Sequence, residues 1–153
     1  MELDIKYRTA QDIYAVCGPV LIRIADGANT ELGDIDRIHA WFTEMLAHQP
    51  NIGMLLVAHH GNPPPSMATI RYAVQQMGHM QERIVVGVAL LGLGFWADTA
   101  RAVTAGLMRL LRGGAVILAS SPEAAIEGMV LELVGLDGAA LLAATAELER
   151  LRR

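Results

Sequence analysis

The chain has 153 residues, enough for one domain with its own core, and 53% of them are hydrophobic while only 18% are charged. That composition, with a mean hydropathy of +0.36, excludes disorder, because the apolar surface available outweighs chain entropy. A net charge of −4 argues against a general nucleic-acid surface; the longest charge-free apolar stretch of strand-like character, Ile84 to Ala97, has 14 residues, against the ~20 that a membrane span needs.

In chain order, Leu3, Ile5 and Tyr7 alternate with charged residues and suggest a short edge strand. Asp12 to Cys17 and Val20 to Ala25 flank Gly18-Pro19 and read as a hairpin. Asp26 to Gly33 is a polar loop. Asp34 then caps a helix whose Ile35, Ile38, Phe42 and Met45 recur at spacings of three and four, and Pro50 ends it. Ile52 to Ala58 is apolar on both faces, as a central strand covered on each side would be. His59 to Pro65 is a loop that three prolines keep extended. Ser66 caps a helix with Met67, Ile70, Val74 and Met77 as its inward stripe, and Ile84 to Leu91 is a second central strand.

A longer helix is expected from Phe95 to Arg112, stopped by Gly113-Gly114. Ala115 to Ala119 is a third buried strand. Ser120-Ser121-Pro122-Glu123 combines a cap, a proline and a first-turn acid, and opens a helix reaching about Val134. Asp137 caps a last amphipathic helix to Leu151. Long crossovers between apolar strands require parallel neighbours. The expected fold is therefore a single α/β domain over 1–153: a mixed sheet with an antiparallel N-terminal hairpin, parallel core strands, and helices packed on the sheet.

No strong catalytic motif is present: the chain lacks Gly-x-Ser-x-Gly, Walker A, His-Glu-x-x-His and Cys-x-x-Cys patterns. Gly92-Leu93-Gly94-Phe95-Trp96-Ala97 matches G-x-G-x-x-A between a strand and a helix. It reads either as a tight turn that needs glycine or as an anion site on Gly92 and Gly94 at a helix start. A dinucleotide enzyme would depend wholly on it. His59-His60 ends a core strand where α/β folds place ligands, but adjacent strand residues face opposite ways, so no metal and no cofactor is expected there; His39, His48 and His79 could join only by accident of folding. Met45 to Gln81 contains no acid and one formal charge, Arg71, with Met45, Met54, Met67, Met77 and Met80 inside it. Such a stretch is either core or a face for a partner. Arg101, Arg109 and Arg112 share a helix side with Asp98, the pattern of a solvated face.

The VLIRIADG strand, the DIDRIHAWF helix, MLLVA, the helix opening at Ser66 and AVILASSPEAAIEGM together resemble the STAS domain of anti-sigma-factor antagonists over about residues 13–134. They are similar as well to STAS/SEC14-like bacterial proteins. The resemblance implies a binding module without chemistry of its own. It also implies a phosphorylated serine after the third strand, for which Ser66 is the nearest equivalent, although HHGNPPP replaces the acidic context. The expected function is non-catalytic protein–protein contact, with a homodimer, through His59, His60, Asn62, Ser66 and Met67. The alternative is a small apolar, lipid-like or anionic ligand held between sheet and helices. The charged start, MELDIKYR, lacks the apolar centre of a secretory signal, and one cysteine, Cys17, excludes an internal disulfide; both fit a cytoplasmic location.

Overall fold

The computed structural model describes residues 2–92, 102, 105–106 and 115–153. Six strands form one sheet in sequential order: β1 (Leu3–Arg8), β2 (Asp12–Cys17), β3 (Val20–Ala25), β4 (Ile52–Ala58), β5 (Ile84–Leu90) and β6 (Ala115–Ala119). The first three pair antiparallel and β3 to β6 pair parallel. The hairpin forms because Gly18 takes a φ of +57° as the first of two turn residues, letting Cys17 pair directly with Val20. The protein is thus an α/β fold with a mixed sheet.

Between the parallel strands run α1 (Leu32–His48) and α2 (Met67–Met77), the latter followed by a 3-10 turn at Gly78–Arg83. Right-handed crossovers taken repeatedly in one direction across a sheet fall on one face, and α1 and α2 pack there against each other. After β6 the chain crosses to the other face as α3 (Pro122–Glu132) and α4 (Gly138–Leu151). Ser121 caps α3 by accepting from the Ala124 N–H, and Asp137 caps α4 by accepting from that of Ala140. The long helix expected over Phe95 to Arg112, with Arg101, Arg109 and Arg112, lies outside the described residues, save that Ala102, Ala105 and Gly106 are helical.

Four local expectations change. Strand β6, expected to be buried, is only partly so, with Leu118 41% exposed, because it stands last in the strand order at the sheet edge. The residue that caps α1 is Glu31, not Asp34; Asp34 sits inside the first turn, where its carboxylate accepts the Glu31 N–H at 2.8 Å. The buried side of α2 is Thr69, Ala73 and Met77, one helix face at a spacing of four, whereas Ile70 and Val74 are partly buried and Met67 is half exposed. Helix α3 ends at Glu132, leaving Val134 fully exposed.

Period-two alternation divides the strand side chains between two cores. Ile22, Ile24, Leu55, Val57, Val85 and Ala89 face α3 and α4, together with Met129, Leu141 and Leu148. Tyr14, Leu21, Ile52, Val86 and Val88 face α1 and α2, with Ile35, Ile38, Phe42 and Met77. The charge-poor stretch from Met45 to Gln81 contributes to this second core: Met45, Met77 and Met80 are buried in it.

Candidate functional site

The second core is incompletely filled. A cavity of about 130 Å³ lies between α1, α2 and the sheet. Phe42 and Ile38 of α1, Ile70 and Met77 of α2, and Met54 and Val86 of the sheet supply apolar wall. Pro63 to Pro65 close one side, and this extended proline loop edges the cavity without donating backbone N–H groups to it. Gly106 approaches from the remaining side, close enough that a Cβ there would meet Ile70 at 2.8 Å.

One charged side chain among the described residues lines this space: Arg23, 3% exposed, in the middle of β3. Register places it beside Tyr14 of β2 and Leu56 of β4. Its Nη2 donates to Asp12 Oδ2 at 3.0 Å, its Nη1 to Thr30 Oγ1 at 2.7 Å, and the guanidinium lies 5.1 Å from the Tyr14 ring centre. Tyr14, wholly buried, donates its hydroxyl to Asp34 Oδ1, and Arg37 donates to the same oxygen at 2.9 Å. Burial, reinforced by the nearby carboxylates of Asp34 and Asp12 against the opposing pull of Arg23, pushes the Tyr14 hydroxyl far above its usual range and keeps it neutral. Two guanidinium groups and two carboxylates thus balance at this end of the cavity. Arg23 Nε is buried with no partner.

A second polar group forms at the carboxyl ends of the strands. His59 Nε2 lies 2.9 Å from Glu149 Oε1, and Arg152 bridges Glu149 at 2.6 Å and Asp26 at 3.2 Å. Arg152 Nη2 is also 3.1 Å from the same His59 nitrogen. That nitrogen has one position for a hydrogen, so with Nε2–H donating to the carboxylate, Arg152 is held by the two acids. Burial resists the Glu149 charge, yet the hydrogen bonds from His59 and Arg152 prevail and hold its carboxyl below the usual range. The cluster fastens the end of α4 to the loops after β3 and β4.

No family model, curated protein or solved structure matches this chain. What the site can do therefore follows from its own geometry.

The residues singled out in the sequence divide between these regions. Asn62 lines the cavity and ties two loops, its Oδ1 accepting the Ala28 N–H at 2.8 Å. Ser66 caps α2 by accepting the Thr69 N–H and donates its own O–H to Thr69 Oγ1. Met67 projects outward, half exposed. His59 is engaged by Glu149, while exposed His60 packs on Gly92; at a φ of +110° and with the His60 ring against it, Gly92 has no room for a Cβ. Gly94, the other half of the candidate anion site, lies outside the described residues. His39 and His79 meet each other edge to face, 5.9 Å between ring centres. Among the described residues, no group of three or more His, Cys, Asp or Glu side chains is placed to hold a metal ion, and no helix is long and apolar enough to cross a membrane.

Sequence reasoning missed Arg23, Thr30, Glu149 and Arg152. A signal existed for Arg23: a lone charge inside VLIRIA, a run otherwise apolar on both faces, has to find a buried partner.

Proposed function

We propose that this chain is a non-catalytic α/β module that holds a small, mainly apolar molecule in the cavity between α1, α2 and the sheet. The observation that carries this reading is the cavity itself: apolar walls from α1, α2 and the sheet, with the buried Arg23 at its polar end. Ligand sites of α/β and helical proteins take this form, concave and greasy with few placed polar groups. The reading follows the ligand-holding, SEC14-like side of the resemblance. A cytoplasmic location belongs to it, supported by a single cysteine, Cys17, that is buried and whose thiol burial pushes up. The test is methyl NMR on protein labelled at isoleucine δ1 carbons, titrated with methylenecyclohexane. Saturable shifts at Ile38, Ile70 and Ile84, with Ile117 on the opposite face unmoved, are expected. Shifts spread evenly over both faces, or none, would contradict the proposal.

A specific observation favours a second reading, protein contact of STAS-like type with self-association. Met67 and Leu32, about half exposed, begin α2 and α1, and the Thr69 hydroxyl donates to the Thr30 carbonyl to join those two starts. Ser66, exposed at the same place, is the modification position under this reading. Light scattering over a hundredfold range of concentration tests it. A dimer weakened by Met67→Asp supports contact through this end, and a strict monomer counts against it.

A further inference from the structure

The polar end of the cavity restricts what the ligand can be, given the reading of that cavity as a ligand site. A guanidinium carries five N–H donors and no acceptor. Among the described residues, Arg23 gives one to Asp12 and one to Thr30, and Nε has no acceptor at all. Thr30 Oγ1 accepts from Arg23 and keeps its own proton and a second lone pair to offer. The other polar groups on this wall are engaged. Thr69 Oγ1 accepts from Ser66 and donates to the Thr30 carbonyl, and both side-chain polar atoms of Asn62 have backbone partners. Among the described residues, the charged group on this wall with unmet capacity is therefore a donor, the Arg23 guanidinium.

Charge removes the obvious anionic candidate. Arg23 is neutralised by Asp12 and Arg37 by Asp34, while Tyr14 stays protonated. A carboxylate entering here would leave a buried negative charge with no spare cation among the described residues, a costly outcome at low dielectric. A pure hydrocarbon would fit the walls but leave the donors unmet.

We propose that the cavity takes a compact, neutral, apolar molecule bearing one carbonyl oxygen, a ketone or ester. The oxygen points at Arg23 and Thr30, and the hydrocarbon body lies among Phe42, Ile70 and Met77. The space of about 130 Å³ sets the size at roughly one six-membered ring, since apolar cavities of about 150 Å³ accept benzene.

Three probes of similar shape separate the possibilities in the same methyl titration: cyclohexanone, methylenecyclohexane and cyclopentanecarboxylate. Cyclohexanone is expected to bind on the order of tenfold more tightly than methylenecyclohexane, the effect of one hydrogen bond from a charged donor, and the carboxylate most weakly. The charge-neutral pair Asp12→Asn with Arg23→Met, which removes the guanidinium donors, should bring the ketone and the olefin within about twofold of each other. Thr30→Val frees Arg23 Nη1 without removing the charged donor and should leave the ketone preferred; if the double variant does not fold, a preference lost in Thr30→Val overturns the assignment to Arg23. Equal binding of ketone and olefin, or strongest binding by the carboxylate, overturns this inference while leaving the cavity a ligand site. If no probe moves Ile38, Ile70 or Ile84, the proposed function fails and this inference with it.

Discussion

The two faces of the sheet are built from the same strands and are packed differently. Towards α3 and α4, glycines in β4 and β5 make room for a large side chain: a Cβ on Gly53 would stand 2.9 Å from Met129 Cε, and one on Gly87 2.5 Å from its Sδ. Met129 is wholly buried as a result. Towards α1 and α2, the strands present Met54, Leu56 and Val86, and the helix above them answers with Thr69 and Ala73. Large over glycine closes the first face; on the second, Thr69 and Ala73 sit between the larger Phe42, Ile70 and Met77, and space remains beside them. Close packing is the default of protein interiors, so the gap beside a buried arginine among the described residues is the feature on which the proposed ligand role rests.

That contrast can be broken by substitution, beginning with the largest effect. Arg23→Met leaves Asp12, 6% exposed, without its cation, and should cost about 3–5 kcal/mol in urea unfolding. A loss under about 1 kcal/mol would show that the buried pair does not anchor the cavity face. Met129→Ala should cost about 2–5 kcal/mol, because the packed face cannot collapse over two glycines. Met54→Ala should cost clearly less, since its side chain already borders open space; equal losses would erase the distinction between the faces. Ser66→Ala removes the α2 cap and should lower stability by about 1 kcal/mol, a fall in Tm of roughly 2–4 °C by calorimetry. Glu149→Gln, at the rim, should act least and in a pH-dependent way. The folded carboxyl sits below its usual range, so its contribution is present above that range and fades as pH falls through the folded value. Wild type and variant should therefore converge in urea midpoint as acid is added, and a gap that widens in acid would reverse the assignment.

Much of the fold is readable in the sequence because local signals agree. Gly18-Pro19 between two β-rich runs, the two-faced apolar IGMLLVA, and Ser121-Pro122-Glu123 each specify their element without help from distant residues. The start of α1 is misread in sequence because Asp34 is a preferred cap residue and Glu31 is not, whereas in the fold the Asp34 carboxylate is held inside the first turn by Tyr14 and Arg37. The Arg23 cluster is partly legible. A two-residue turn at Gly18-Pro19 already sets Tyr14 opposite Arg23 and puts Asp12 on the same face two places along. The cavity is not legible, since it arises from side-chain sizes matched across layers that only the tertiary structure brings together. His59 and Glu149 lie 90 positions apart, and no pattern in either segment announces the other.

Diffraction from a crystal held under xenon pressure addresses the unequal packing most directly, because the gas settles in dry apolar voids. The account predicts a xenon peak among Phe42, Ile70 and Met77, and none in the layer beneath Met129. Xenon absent from the first place, or bound equally well beneath α3, would contradict it.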